Sequence, residues 1–149
     1  MYSTLADIKK LIPEETIIQL TFDGTEDPNA NPPVVAAIDE AKVTEAIASA
    51  DAEIDSYCAS NYTVPFSPVP GIIKKLSVDI TIYNLYSRKV EDIPETRAER
   101  YKNAIRQLEG IAKGLITLGD DEGAAEEGGV ETNKTEDDRI FTKDKLGGY

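Results

Sequence analysis

From Asp39 to Gly114 apolar residues recur at helical spacing, and prolines break that pattern at only two places, residues 65–70 and Pro94. Proline lacks the N–H that a helix interior needs, and its ring crowds the preceding turn, so these breaks divide the region into three long helices. The first is expected from about Asp39 to Asn61. Val43, Ile47, Ala50, Ile54 and Tyr57 or Cys58 form one buried stripe, while Asp39, Glu40, Glu45, Asp51, Glu53 and Asp55 lie mostly off it. The second runs from Gly71 to about Lys89. Ile72, Ile73, Leu76, Ile80 and Tyr83 form a face that Val78, Ile82, Leu85 and Tyr86 widen, so this helix should be the central, most enclosed one. Pro94 opens the third, with Tyr101, Ile105, Leu108, Ile111 and Ala112 inward and Gly114 as the stop.

Two shorter helices precede these. Ser3 or Thr4 can cap the first, which carries Leu5, Ile8 and Leu11 inward. Pro13 suits the first turn of the second, Glu14 and Glu15 favour its positive end, and Ile17, Ile18 and Leu20 supply its apolar side. Residues 21–35, with three prolines among turn formers, read as a surface loop. The expected fold is therefore all-α, a small bundle of about three long and two short helices, occupying residues 1–118 as a single helical domain.

Beyond that domain the chemistry changes. Residues 119–138 hold nine acids and one base, and their only non-polar side chains are Ala124, Ala125 and Val130. Such a Gly-rich stretch buries too little to offset its ordering entropy and reads as an acidic tether. Residues 139–149 regain Ile140, Phe141, Leu146 and Tyr149. An apolar peptide at the end of a tether reads as an extended C-terminal docking arm, with Arg139, Ile140, Phe141 and Leu146 as its partner-binding residues.

Charge and absences narrow the function. The formal net charge is −12, which opposes phosphate binding and the wrapping of nucleic acid. Residues 1–60 carry 12 acids and 3 bases, whereas residues 61–118 carry 6 acids and 9 bases. That split suits head-to-tail self-association, although an unevenly solvated surface is the plainer reading. There is no His, so the commonest general base and metal ligand is missing. Asp23, Glu26, Asp27, Asn29 and Asn31 resemble a calcium loop only superficially, because Pro28 stands at the sixth position and Val34 at the twelfth. The single cysteine, Cys58, has no His to activate it and reads as a small buried hydrophobe suited to a reducing cytoplasm. Gly128-Gly129 lies among acids that would repel phosphate. No catalytic, cofactor-binding or metal residues are expected, so the chain reads as a non-enzyme that needs no cofactor. No membrane span or secretory signal is expected either.

Several segments, in order, resemble a family of Mu-like tailed-phage proteins grouped with head–tail connector, or neck, proteins. They are Tyr2-Ser3-Thr4-Leu5-Ala6-Asp7-Ile8, the run from Ala48 to Tyr57, Tyr62-Thr63-Val64-Pro65-Phe66, Val69-Pro70 with Ile73-Lys74, and Asp79-Ile80-Thr81-Ile82-Tyr83-Asn84-Leu85. Arg100-Tyr101, then Leu108, Ile111 and Gly114, and finally the run from Arg139 to Leu146 complete the set. The resemblance covers most of 1–118 plus the arm, and departs at the loop 21–35 and the tether 119–138. It implies a structural subunit of a neck adaptor ring in the virion, dodecameric in such adaptors and assembled in the bacterial host cytoplasm. Its partners would be itself, the portal protein, and a tail-side neck or tail-terminator protein, with DNA passing through without specific binding. An acidic lumen would keep phosphates from sticking. The alternative from composition alone is an acidic DNA-mimic that inhibits a host nucleic-acid-binding enzyme.

Overall fold

The computed structural model describes residues 1–89 and 92–119. Within them the chain forms five helices in the order α1 (Leu5–Lys9), α2 (Glu14–Thr21), α3 (Glu40–Cys58), α4 (Gly71–Ser87) and α5 (Glu95–Ala112), with no strand among the described residues. The bundle is all-α. Residues 120–149 lie outside the described residues, and with them the tether beyond Gly119 and the arm residues Arg139, Ile140, Phe141 and Leu146.

Thr4 caps α1 through a reciprocal box. Its hydroxyl accepts from Asp7 N at 3.4 Å, and Asp7 Oδ2 accepts from Thr4 N at 3.2 Å. The helix stops at Lys9, so the expected inward position of Leu11 is overturned: Leu11 is 41% exposed and Ile12, at 3%, takes the core position. Ile12 N still bonds Ile8 O at 3.1 Å, so Ile12 stands one helical turn beyond the fully buried Ile8 and shares its inward side, while Leu11 is turned out. Pro13 caps α2 from outside its first turn, and Thr21 belongs to the helix rather than to the loop. The fully buried Thr21 hydroxyl donates to Ile17 O at 2.8 Å and accepts from Asp39 N at 3.1 Å. Asp39 in turn caps α3 by accepting from Ala41 N and Lys42 N. One hydroxyl thus ties the end of α2 to the start of α3.

Helix α4 is the centre, and it contacts each of the other four helices. Residues 76–82 are all buried, which on a helix means enclosure from every side. Ile73, Leu76 and Ile80 pack with Ala50, Ile54 and Cys58 of α3 and with Ala104, Leu108 and Ile111 of α5. Val78 and Ile82 pack with Val43 and Ile47 of α3 beneath Ile8, Ile12 and Ile17. Leu85 meets Leu20 and Ala46.

On α5 the fully buried residue between Tyr101 and Leu108 is Ala104, while Tyr101, Ile105 and Ala112 are only half-buried. A small residue at that position lets α5 approach the α3–α4 pair closely. The end of α5 is reinforced twice. Gly114, at φ +70°, adopts the left-handed conformation that reverses the chain, and Asn61 Nδ2 donates to Ile111 O at 2.9 Å and Ala112 O at 2.7 Å. Past the reversal Ile116 packs onto Gly110, and Leu118 N donates to Tyr62 Oη at 3.0 Å.

Candidate interaction surfaces

The acids of α3 that lie off its apolar stripe are not all left to solvent. Asp51, Glu53 and Asp55 are half-buried because the N-terminal segment and α5 lie over them. Asp51 accepts from Tyr2 N at 2.9 Å and from Ser77 Oγ at 2.9 Å, and Ser3 Oγ and Ser77 Oγ lie 2.8 Å apart within the core. Tyr2 Oη donates to Asp55 Oδ1 and accepts from Phe66 N at 3.1 Å. Burial first, then the bond to Asp55, pushes the Tyr2 phenol up to about 12. Tyr101 stacks on Tyr83 with centroids 4.0 Å apart and donates to Glu53 at 3.0 Å, and its phenol is likewise raised to about 12, chiefly by burial. These carboxylates work as internal acceptors that order the N-terminal segment and α5.

A second cluster consumes much of the charge contrast visible along the chain. Asp23 faces Lys42 at 2.7 Å, Arg88 at 2.5 Å and Lys89 at 3.0 Å. The same cations donate to the last carbonyls around α2: Arg88 to Leu20 O, Lys42 to Thr21 O and Lys89 to Phe22 O. Cations at a helix C-terminus satisfy orphan carbonyls and complement its dipole. Donation from Lys42 first, then Lys89 and Arg88, holds the Asp23 carboxyl well below the usual carboxylate range. The remainder of the loop is self-contained. Asp27 exchanges backbone bonds with Val34 at 3.0 and 2.9 Å and accepts from Asn29 N, and Glu26 accepts from Ala36 N.

Two of the shallow grooves among the described residues lie between the long helices. One, of about 360 Å³, runs between α3 and α4 past Glu45, Ser49, Glu53, Asn84 and Arg88. Its two carboxylates are eight residues apart, which at ~1.5 Å per residue separates them by about 12 Å along the helix. That exceeds the ~5–9.5 Å used by carboxylate pairs that act on one bond. The other groove, of about 420 Å³, lies between α4 and α5 and is lined by Lys75, Asp79, Arg100, Asn103, Arg106 and Gln107. Asp79 forms its floor, with a side chain only 4% exposed that meets Lys75 and Arg100 at 3.4 Å each. The groove therefore presents three cations over one recessed carboxylate. Only the Lys75/Asp79 spacing of four was available to find it from sequence.

Cys58 is fully buried, and burial followed by the Asp55 charge pushes its thiol up to about 11, which leaves it protonated and unreactive near neutrality. The arm residues Arg139, Ile140, Phe141 and Leu146 lie outside the described residues, so their sites of contact do not enter this geometry. No described helix is long and apolar enough to cross a membrane.

The profile of the family described as "Bacteriophage Mu, Gp36" matches residues 2–135. That span includes the loop 21–35 and most of the acidic tether, both of which looked like departures, and it ends before the arm. A Haemophilus influenzae relative, the Mu-like prophage FluMu protein gp36, is 37% identical over 101 residues, covering 66% of this chain and 70% of its own length. With the five-helix bundle in hand and a match over most of its length, the chain belongs to the Bacteriophage Mu Gp36 family of phage proteins.

Proposed function

We propose that the protein is a structural, non-catalytic subunit of the phage neck, an adaptor ring that joins the portal vertex to the tail and lets DNA pass. The observation that carries this reading is membership of a Mu-like phage family combined with a bundle whose acids are turned to internal use. A scaffold of this kind positions surfaces rather than reactive groups. Assembly would use the surface cations of α4 and α5 together with the arm at Arg139, Ile140, Phe141 and Leu146. The partners are further copies of the chain, the portal, and a tail-side protein.

The net charge of −12 fits a channel wall that repels phosphate. DNA mimicry is less well supported. It needs a row of free carboxylates on an ordered surface, whereas Asp7, Asp23, Asp39, Asp51, Asp55 and Asp79 each accept from donors of their own chain.

Native mass measurement of the protein alone and mixed with portal rings tests the proposal. Stoichiometric rings on the portal are expected. A chain that stays monomeric and ignores portal rings would overturn it, whereas a monomer in isolation that assembles on the portal would support it.

A further inference from the structure

We propose that the α4–α5 groove receives a second copy of this chain, which presents the exposed carboxylates Glu40 and Glu45 of its own α3. The inference rests on the self-assembly in the reading above and names the two surfaces that meet; the portal plays no part in it. The groove is suited to negative charge. Lys75, Arg100 and Arg106 line it, and the recessed Asp79 lies 3.4 Å from both Lys75 and Arg100, so one carboxylate offsets one of three cations. Arg106 bonds only its neighbour Asn103 among the described residues, and a guanidinium carries five donors. The other dense cation cluster is committed. Lys42, Arg88 and Lys89 already hold Asp23 and the carbonyls at the end of α2. Of the acids around the start of α3, Asp39 caps the helix and pairs with Lys42. Glu40 and Glu45 are exposed, and neither pairs with a cation among the described residues. Glu26 and Asp27, exposed in the loop that leads into α3, add negative charge at the same end.

The fold sets these two surfaces on opposite edges of the α3–α4 pair. Ser77 Oγ donates to Asp51 of α3, and Asp79, two residues on, is turned about 200° round α4, so the groove faces away from α3. Val43 and Ile47 pack on Val78 and Ile82 of α4, and Glu45, two residues from each, is turned by the same angle away from α4. The helices run antiparallel, since Asp51 meets Ser77 and Ala46 meets Leu85. Glu40 and Glu45 therefore stand beside the last turns of α4, whereas Lys75 and Asp79 belong to its first half. A basic surface on one edge and an acidic one on the other cannot satisfy each other within one chain. Between copies they can, and each copy then uses both, in a heterologous, head-to-tail contact. Exposed Ala41, Thr44 and Ala48 flank Glu45 and present little bulk, so the carboxylate can reach the groove. Charge complementarity also selects this occupant over a nucleic acid, which would have to approach a chain of net charge −12.

Intermolecular paramagnetic relaxation in the full chain, without portal, tests this. A nitroxide is attached at Ala48→Cys in chain lacking isotope, while the fully buried Cys58 stays unlabelled. This chain is mixed in concentrated, low-salt solution with isotope-labelled chain lacking the nitroxide. The expected result is a selective loss of more than half the amide signal intensity at Lys75, Asn103, Arg106 and Gln107. The signal should return at about 1 M salt, where screening acts within ~3 Å. Arg106→Glu in the isotope-labelled chain should also restore it, as should Glu45→Arg in the spin-labelled one. Combining the two reversals should bring the loss back, because the charges are then exchanged across the contact. Both positions are exposed, and the amide spectrum of each variant reports whether the bundle is intact. Unchanged groove signals in the parental mixture would overturn the proposal, as would losses that survive salt and both single reversals. A short DNA duplex that perturbs the groove amides while the mixed sample shows no loss would overturn it too, by giving the groove to nucleic acid. The neck reading fails separately. Copies that meet through the groove yet ignore portal rings would support this contact and overturn the neck, whereas portal-bound rings of a chain that shows no groove loss would do the reverse.

Discussion

Replacing Tyr2 by Phe probes how the N-terminal segment is held, because it removes one oxygen and leaves the ring. That ring is 4% exposed and packs against Phe66 with centroids 5.7 Å apart, so the apolar contribution should survive. What is lost is the donation to Asp55 and the acceptance from Phe66 N. A bond to a charged acceptor contributes about 1.5–3 kcal/mol. Asp55 is half-buried, so water recovers part of this, and a loss of about 2 kcal/mol at pH 7 is expected in urea unfolding. The pH dependence is the sharper test. The folded-state pKa of Tyr2 is raised from 10.0 to about 12, so the folded chain keeps its phenolic proton where the unfolded chain has released it. The stabilisation is complete below pH ~10 and fades as pH rises through about 12. A displacement of that size corresponds to roughly 3 kcal/mol. The gap between the parent and Tyr2→Phe should therefore close, or reverse, between pH 10 and 12, while lysine titration affects both proteins alike. A gap that stays constant from pH 8 to 12 would refute the reasoning.

Three further outcomes follow from the same contacts. Leu108→Ala, at a fully buried contact of α5 with α3 and α4, should destabilise the fold by about 2–5 kcal/mol in the same urea assay, and a loss under 1 kcal/mol would mean that the core closes over the cavity. Donation from Thr4 and Lys10 holds the Asp7 carboxyl well below its usual range, so the unfolded chain takes up its proton first as pH falls. Stability from this group is present above pH ~4 and lost below it, and Asp7→Asn should flatten that acid limb in thermal scans between pH 2 and 6. Deleting residues 139–149 should leave the melting temperature of the bundle unchanged but weaken assembly on portal rings, with Phe141→Ala the most damaging single change, because aromatic anchors carry much of an interface's energy. Equal losses of thermal stability and assembly would instead make the arm part of the core.

The sequence by itself determined the helices and their order. Steps of three and four from Val43 to Cys58, the doubly apolar run from Ile72 to Tyr86, and prolines at 65, 68, 70 and 94 leave few other readings. The central position of α4 was legible for the same reason, since a helix apolar on all sides must be surrounded. Local capping was legible too, at Thr4 and Gly114, because a cap depends on neighbours within a few residues. Which residue at the end of a short helix enters the core, by contrast, depends on what packs against it: Ile12 is buried there, whereas Leu11, expected inward, is exposed.

Only the tertiary structure decided which charges are spent and which are offered. Counting placed Arg88, Lys89 and Lys74 in a basic half and Asp23 and Asp7 in an acidic one, yet folding sets Asp23 against Arg88 and Lys89, and Asp7 against Lys74. Asp51 and Asp55, spaced like members of a solvated face, became acceptors for Tyr2 and Ser77. The physical reason is range. Helical periodicity is set by bonds four residues apart, whereas an ion pair between residues 23 and 88 exists only once the packing of α2 on α3 and α4 brings them within 2.5 Å.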